Sequence, residues 1–214
     1  MHEPFDVVRS GYDRIGTRYR DWSSAGQVRL RWLRYVLDAL PPGGLVVDLG
    51  CGAGEPVTRR LAERHRVLGV DASAEQLRLA RSAASTALLV QADMTRFSLR
   101  PDSVDAVTSF YALGHVPAER HAPLFAAIAR WLRPGGLLVT STPVEAGDGT
   151  DADWLGVPMF FGGIGQDATR RAVTDAGLRL EEFEVVDEDE GEGRVVPFLW
   201  VVARKPTAYG RRSA

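Results

Sequence analysis

The feature that most constrains this chain lies between residues 45 and 58, where a short apolar segment runs into the sequence DLGCGAGEP. Leu45 to Leu49 is apolar apart from Asp48, which is typical of a parallel strand covered on both faces. Three alternate glycines follow, Gly50, Gly52 and Gly54. Residues without a Cβ permit positive φ angles and let a ligand approach the backbone closely. The stretch therefore predicts a buried strand, a tight turn and a helix.

The glycine spacing distinguishes two kinds of nucleotide site. Dinucleotide-binding folds carry G-x-G-x-x-G here, with the pyrophosphate at the helix N-terminus. In this chain the third glycine comes one residue early, and Glu55 stands where that pattern has glycine. An acidic side chain would repel a diphosphate from the positive end of the helix dipole. A dinucleotide site is thus disfavoured, and a glycine turn without a ligand is the other alternative.

The sequence DLGCGAGEP resembles motif I of the class I S-adenosylmethionine-dependent methyltransferases, and further similarity covers about residues 41 to 142. The resemblance implies S-adenosylmethionine as cofactor and S-adenosylhomocysteine as product. It implies that Asp48 reaches the methionine amino group, directly or through water, although Asp48 could also hold loop N–H groups. It implies that the turn lies beneath the methionine and ribose, with contacts from Gly50, Cys51, Gly52 and Gly54.

Length and composition predict one soluble domain with a full core. The chain has 214 residues, a net charge of −2 and 45% hydrophobic residues. It has no basic excess to hold nucleic acid, and no stretch approaches the 18 apolar residues of a membrane span. Cys51 is the only cysteine, so we expect a cytoplasmic location and a buried thiol more readily than a nucleophile. No cluster of histidines and carboxylates predicts a metal site.

Hydrophobic patterns predict seven strands alternating with helices. The predicted strands are 45–49, 67–70, 86–91, 104–110, 137–141, 178–187 and 194–204. The predicted helices are 26–40, 55–64, one from Ser73, 118–132 and 167–176. This pattern indicates an α/β fold with a doubly wound, mostly parallel seven-stranded sheet, a C-terminal antiparallel hairpin and an N-terminal helical cap, the Rossmann-like fold of the resembled family. The expected single domain, 1–205, comprises the cap (1–40), a cofactor-binding core (41–142), a lid or substrate loop (143–166) and a C-terminal helix and hairpin (167–205), followed by a tail (206–214).

Side chains at the carboxyl ends of successive strands form the predicted cofactor site, because open α/β sheets bind ligands there. The resemblance implies that Asp71 accepts the ribose hydroxyls, and a helix-capping role is its alternative. It places Asp93 and Met94 at the adenine, and Phe110 and Tyr111 near the methionine. The remaining predicted cofactor contacts are Tyr19, Ala72 and Gln76. Tyr19 could equally be a packing residue of the cap.

The resemblance implies that an acceptor atom attacks the methyl carbon opposite sulfur. His115, just past the fourth strand, is the candidate general base, and a structural histidine that anchors its loop is the alternative. We expect a small acceptor that is partly aromatic or apolar. The predicted substrate-binding residues are Tyr12, Trp22, Tyr111, His115, Trp154, Met159, Phe160 and Phe161. These aromatic residues could instead pack a lid. A monomer or a homodimer is expected.

Two other functions of the same fold stay open. One is a regulator that binds S-adenosylmethionine without transferring methyl, and its mark is tight binding with no S-adenosylhomocysteine formed from any acceptor. The other is an enzyme such as a cyclase that uses the sulfonium, and its mark is cofactor turnover without an added acceptor. The sequence leaves open whether the acceptor atom is O, N or C.

Overall fold

The structure is a computed structural model and describes residues 3–19, 27–189 and 195–207. Its helices are α1 (Pro4–Ile15), α2 (Gln27–Ala39), α3 (Val57–Ala62), α4 (Ala74–Ala83), α5 (Ala118–Trp131) and α6 (Gly165–Asp175), with a 3-10 turn at Leu113–His115. Its strands are β1 (Leu45–Leu49), β2 (Arg66–Asp71), β3 (Leu88–Gln91), β4 (Val104–Ser109), β5 (Leu132–Pro143), β6 (Ala146–Trp154), β7 (Val157–Ile164), β8 (Arg179–Asp189) and β9 (Val195–Arg204). Trp22 lies outside the described residues.

Seven strands form one sheet in the order β3-β2-β1-β4-β5-β9-β8. Strands β1 to β5 pair in parallel, and β9 runs antiparallel to both β5 and β8. The sequence order reverses between β1 and β4, which lie side by side, so the carboxyl ends of these strands border the crevice where such sheets bind ligands. The predicted fold class, with its C-terminal antiparallel pair, is confirmed.

The chain between β3 and β4 contains no helix, as its length predicts. Residues 92–103 cross from the edge strand β3 past β2 and β1 to β4. An extended chain spans about 3.3 Å per residue and strands lie about 4.8 Å apart, so the connection is long enough. Phe97 and Leu99 pack this crossover against the core.

Two apolar layers cover the two faces of the sheet. One layer packs α5 and α6 on the sheet through Phe125, Ile128 and Val173. The other packs α2 and α3, and there the buried rings of Trp32 and Trp200 stack with centroids 5.1 Å apart. Burying both faces accounts for the apolar strand sequences.

The prediction of a loop over residues 143–166 is wrong in its secondary structure. The segment folds into an antiparallel hairpin of β6 and β7 that turns at Leu155 and Gly156, both with positive φ. Strand β7 packs on α1, and Met159 lies so close to Gly11 that a Cβ at Gly11 would be 2.7 Å from its Cε atom. Helix α1 and this hairpin therefore form one cap over the carboxyl ends of the parallel strands.

Other boundaries differ less from the prediction. Helix α3 is shorter than the predicted helix 55–64, and β3 is shorter than the predicted strand 86–91. Strand β5 is longer than the predicted strand 137–141, because residues on both sides of the turn at Gly135 also pair with neighbouring strands.

Candidate cofactor and acceptor site

The turn after β1 is held by backbone hydrogen bonds to β2. The N–H groups of Gly50 and Cys51 donate to the carbonyl oxygen of Val70 over 2.7 and 3.1 Å. Gly50 has a φ of 71°, and a Cβ on it would overlap the Cβ of Ala112. Glycine is required here both by backbone angle and by space. The turn thus forms the narrow floor of a groove.

Asp48 is buried at the end of β1 beneath this turn. Its Oδ1 accepts from Thr108 Oγ1 over 2.8 Å and its Oδ2 from Thr58 Oγ1 over 2.6 Å. Burial raises the pKa of Asp48 to about 6 although both hydroxyl donors favour the ionised form. A cation at the groove would stabilise this carboxylate.

Asp71 ends β2 with its carboxylate oriented by two backbone donors. Its Oδ2 accepts from Gly52 N–H over 2.8 Å and its Oδ1 from Ser73 N–H over 2.9 Å. An ionised carboxylate has about four lone-pair sites, so two remain for ligand hydroxyls. Burial raises the pKa of Asp71 while the backbone donors oppose that change.

Asp93 and Met94 follow β3 at the far end of the groove. Asp93 Oδ1 accepts from the backbone N–H and the hydroxyl of Thr95, over 2.8 and 2.7 Å. Its Oδ2 lies 3.6 Å from Arg96 Nε. The Met94 side chain reaches over the turn, with Cε 3.4 Å from where a Cβ on Gly50 would lie.

Three adjoining cavities form one groove along the carboxyl ends of the strands. The central cavity is lined by Gly50, Gly52 and Asp71 from the sheet and by Tyr12 and His115 from the cap side. The β3-side cavity shares Ala72, Met94 and His115 with it, and the β1-side cavity shares Tyr19, Gly50, Gly52 and Phe110. An elongated ligand with an aromatic end suits this shape.

Arg29 on α2 is a site residue that sequence reasoning missed. It lines the β1-side cavity with Asp48, and its guanidinium carbon lies 4.2 Å from the centroid of the Tyr111 ring. The Tyr111 hydroxyl donates to Glu188, which also accepts from Trp200 Nε1 over 3.0 Å. Arg29 is one of several arginines in its helix, and nothing in the sequence separates it from them.

Phe110 and Tyr111 follow β4, as predicted, and both line the central cavity. Tyr111 has a φ of 62°, and its N–H donates to Ser141 Oγ over 2.7 Å. Its ring packs edge-on against Phe198, with centroids 4.8 Å apart, and burial raises the pKa of its hydroxyl. The Phe110 ring packs on Trp200 at 4.8 Å.

Gln76 connects the cap to the cofactor side of the groove. Its backbone N–H donates to Ser73 Oγ over 3.1 Å, which is the predicted helix cap. Its side-chain Nε2 donates to the carbonyl oxygens of Tyr12 and Gly16 over 3.4 and 3.0 Å. Among the residues that the structure describes, the buried Oε1 has no hydrogen-bond partner, and it lies 3.9 Å from where a Cβ on Gly52 would be.

His115 is half-buried, and its two ring nitrogens each have a partner. Nε2 lies 2.7 Å from the Tyr12 hydroxyl, and Nδ1 lies 2.8 Å from the carbonyl oxygen of Phe160. Burial lowers the pKa of His115 to about 4. The imidazole is therefore neutral at pH 7, and its Nε2 is hydrogen-bonded to the Tyr12 hydroxyl, which belongs to another residue that lines the central cavity.

Five rings pack edge to face or at a tilt where the cap meets the groove, and we term them the aromatic cluster: Tyr12, Tyr19, His115, Trp154 and Phe161. Neighbouring centroids are 5.0 to 6.0 Å apart. Met159 and Phe160 of β7 are instead buried in the apolar cluster that this strand forms with α1. Of these two, Phe160 contributes to the site through its carbonyl oxygen, which sequence patterns do not reveal.

Cys51, a predicted cofactor contact, lines the β1-side cavity. Cys51 is buried against Gly69, and burial raises the pKa of its thiol. The helical sequence around His65 and His121 predicts surface positions for both, and this prediction is wrong, since both side chains are buried. The described part of the chain contains no group of three or more His, Cys, Asp and Glu side chains that could hold a metal ion, and none of its helices is long and apolar enough to cross a membrane.

Comparison with known proteins identifies a domain within the chain. Residues 46–136 match the protein family described as methyltransferase domain. This part of the chain is a methyltransferase domain similar to those of the class I S-adenosylmethionine-dependent methyltransferases. The match covers β1 to the turn at Gly135, which is the part that forms the floor of the groove. The cofactor of this family is S-adenosylmethionine.

Individual relatives share this methyltransferase domain. Trans-aconitate 2-methyltransferase from Azoarcus sp. is 39% identical over 120 residues, which are 54% of this chain and 46% of that protein. The 2-methyl-6-phytyl-1,4-hydroquinone methyltransferase from Synechocystis sp. is 34% identical over 182 residues, 79% of this chain and 54% of that protein. The chain thus spans about half the length of these curated relatives.

A solved structure extends the similarity to most of the fold. The S-adenosylmethionine dependent methyltransferase from Mesorhizobium loti superposes with a TM-score of 0.67 at 27% identity, covering 84% of this chain and 98% of that one.

Proposed function

We propose that this protein transfers a methyl group from S-adenosylmethionine to a small-molecule acceptor by in-line displacement. The observation that carries the proposal is the continuous groove, in which the turn after β1 and the carboxylates after β1, β2 and β3 follow one another in order. The methyltransferase domain matched at residues 46–136 supports it.

The residues of the groove fit each part of the cofactor. Asp71 suits the ribose hydroxyls, with Gln76 Oε1, which has no partner among the described residues, beside the glycine turn, and Asp93 with Met94 suits the adenine. Asp48 suits the methionine ammonium, and Arg29 suits its carboxylate. The glycine turn gives backbone contact without a Cβ in the way.

When bound, S-adenosylmethionine supplies a methyl group on a sulfonium, which is already a strong electrophile. The protein then has two tasks, alignment of the acceptor and exclusion of water. The aromatic cluster and the hairpin cover the central cavity and serve both. In the hydrogen-bonded Tyr12–His115 pair, the Tyr12 hydroxyl contacts the acceptor. His115 affects the acceptor through its hydrogen bond with that hydroxyl.

The acceptor side favours a molecule with an aromatic or apolar body. Rings of Tyr12, Tyr19 and Phe110 line the central cavity, and Arg29 is the only arginine or lysine that lines it or the β1-side cavity within the described residues. Residues 143–166, which contain the β6–β7 hairpin, are the segment proposed as lid and substrate-binding element. Trp154 and Phe161 of this hairpin contribute rings to the aromatic cluster.

Calorimetric titration of S-adenosylmethionine and S-adenosylhomocysteine into the wild type and Asp71→Asn tests the cofactor site. We expect Asp71→Asn to weaken both affinities about 10-fold or more, since it loses a charge-assisted hydrogen-bond acceptor worth about 1.4 kcal/mol or more. Asp175→Ala, an exposed carboxylate on α6, is the control and should change neither. Failure of the wild type to bind either ligand would remove the proposal.

An acceptor panel then separates methyl transfer from the two rival functions. We expect S-adenosylhomocysteine to appear only with a suitable acceptor. Tight binding with no product from any acceptor would favour a regulator, and turnover without an acceptor would favour a cyclase.

A further inference from the structure

The hydrogen bonds around His115 have a fixed direction. A carbonyl oxygen only accepts, so the 2.8 Å contact with Phe160 requires a proton on His115 Nδ1. In a neutral imidazole Nε2 then carries a lone pair and accepts. The Tyr12 hydroxyl, 2.7 Å away, must therefore donate its only proton to Nε2. The carbonyl of a hairpin strand thus sets the orientation of a hydroxyl proton at the groove.

Tyr19 lies next to this pair, and its ring packs edge to face on the Tyr12 ring with centroids 5.0 Å apart. Both tyrosines line the central cavity. Because the Tyr12 proton is committed to His115, the Tyr12 oxygen has only lone pairs left to offer a ligand.

We propose that the Tyr12–His115–Phe160 chain selects an acceptor whose reacting heteroatom carries a hydrogen, a phenolic hydroxyl being the best fit, and rejects a carboxylate. This inference rests on the proposed methyl transfer and names the acceptor class for that site. A hydroxyl donates to the lone pair of Tyr12, whereas a carboxylate has only lone pairs to offer. Turning the Tyr12 proton toward a carboxylate would leave Nε2 without a donor.

The proton transfers in the proposed reaction agree with the direction of the Tyr12–His115 hydrogen bond. The acceptor oxygen gains the methyl group from sulfur, and its own proton passes to Tyr12 Oη while the Tyr12 proton passes to His115 Nε2. The positive charge of the sulfonium is replaced by the charge of an imidazolium. A methylated oxygen that still carries its proton is a strong acid, so a weak base is sufficient. A carboxylate acceptor has no proton to release, so the Tyr12–His115 pair would have no proton to accept.

The tautomer of His115 can be measured on the protein without ligand. In ¹⁵N spectra of protein with labelled histidine, assigned with His115→Asn, we expect a protonated Nδ1 and an unprotonated Nε2 at pH 7. Tyr12→Phe should shift the Nε2 signal because it removes the donor. Tyr35→Phe is the matched control, since the Tyr35 hydroxyl hydrogen-bonds to Glu182 on β8, and it should leave the signal unchanged. A proton on Nε2 would overturn the proposal.

Selection between acceptor classes is measured with phenol, aniline and benzoate as probes of the protein loaded with S-adenosylhomocysteine. We expect phenol to perturb the Nε2 signal at a concentration at least 10-fold lower than benzoate, and Tyr12→Phe to reduce that ratio below about threefold. Aniline perturbing Nε2 more strongly than phenol would assign the hydrogen-bearing atom to nitrogen. A benzoate effect equal to that of phenol, or no phenol effect, would overturn the proposal.

These outcomes are separable from failure of the proposed function. If S-adenosylhomocysteine does not bind the wild type, methyl transfer fails as the function, while the tautomer measurement is unaffected. If it binds and methyl is transferred faster to carboxylates than to matched phenols, methyl transfer stands and the acceptor class is wrong.

Discussion

The two sides of the groove are built in different ways. The cofactor side is made by consecutive strand ends, and its key groups are backbone N–H groups, glycines and carboxylates such as Asp48 and Asp71. The acceptor side is made by α1, the 3-10 turn and the β6–β7 hairpin, three segments far apart in sequence that meet through rings. One side therefore depends on local chain geometry and the other on tertiary packing.

The largest expected effect comes from breaking the cofactor side at Gly50. Gly50→Ala places a Cβ onto Ala112 at a φ of 71°, so overlap adds to the cost of the left-handed conformation. We expect a loss of about 3 kcal/mol in the free energy of unfolding, measured by urea denaturation. Gly43→Ala is the control, because Gly43 has a φ of 88° with nothing within 4 Å of its Cβ position, and it should lose about 1 kcal/mol. Equal losses would show that the overlap relaxes freely.

The next effect concerns charge on the same side. Asp48 has its pKa raised to about 6, and the methionine ammonium favours the ionised form. Binding of S-adenosylhomocysteine should therefore tighten as pH rises to about 6 and level off above it, with affinity about 10-fold lower one pH unit below that point. Asp48→Asn should bind about 10-fold more weakly at pH 7.5. Asp71, whose pKa burial also raises, contributes a second pH dependence that this variant retains.

Calorimetry between pH 5 and 8 checks this expectation for both proteins. If the affinity of the wild type is flat across pH 6, or if Asp48→Asn keeps the same rise there, Asp48 does not face the ammonium. The Asp48 hydrogen bonds to Thr58 and Thr108 would then be its whole role.

The contrast between the two sides also explains what sequence could predict. The seven strands, the turn and the carboxylates after β1, β2 and β3 follow from local patterns, because burial and glycine spacing specify them residue by residue. Strand β6 has the sequence AGDGTDADW, with glycines and aspartates that disfavour strands and with all but Trp154 exposed. It is a strand only because β7 pairs with it, so no local signal marks it.

The difference between local patterns and tertiary packing also explains which site residues the sequence predicts and which it misses. His115 was predicted from its place after β4, but its partners Tyr12 and Phe160 are 103 and 45 residues away. The partner of a side chain across such distances depends on how the cap packs, which periodicity does not encode. Arg29 was missed because its neighbours in the helix include similar arginines.

A moderate effect is expected where the two sides are joined. Gln76→Leu removes two donors from the carbonyl oxygens of Tyr12 and Gly16, and its Leu fits a buried position. We expect a loss of about 2 kcal/mol in unfolding free energy and faster hydrogen exchange in α1 than in β1. Gln166→Leu, an exposed position on α6, should change neither. Uniform exchange changes throughout the sheet would indicate that the cap and the cofactor side do not open separately.

The smallest effect concerns how the hairpin is attached. Helix α5 has Pro117 at its N-cap, which lacks a capping side chain, and Asp148 of β6 accepts from Ala118 N–H over 3.0 Å instead. Asp148→Ala should cost about 1 kcal/mol, the usual value of an N-cap. Asp151→Ala is the control, since Asp151 bonds only within its own strand to the N–H of Asp153 among the contacts of the described chain, and it should cost less than about 0.5 kcal/mol. The same variant also tests the contact of the hairpin with His115. Because the hairpin carries the carbonyl oxygen of Phe160, Asp148→Ala should shift the His115 Nδ1 signal and leave the affinity for S-adenosylhomocysteine within twofold. A loss of this affinity would instead mean that the hairpin supports both sides of the groove.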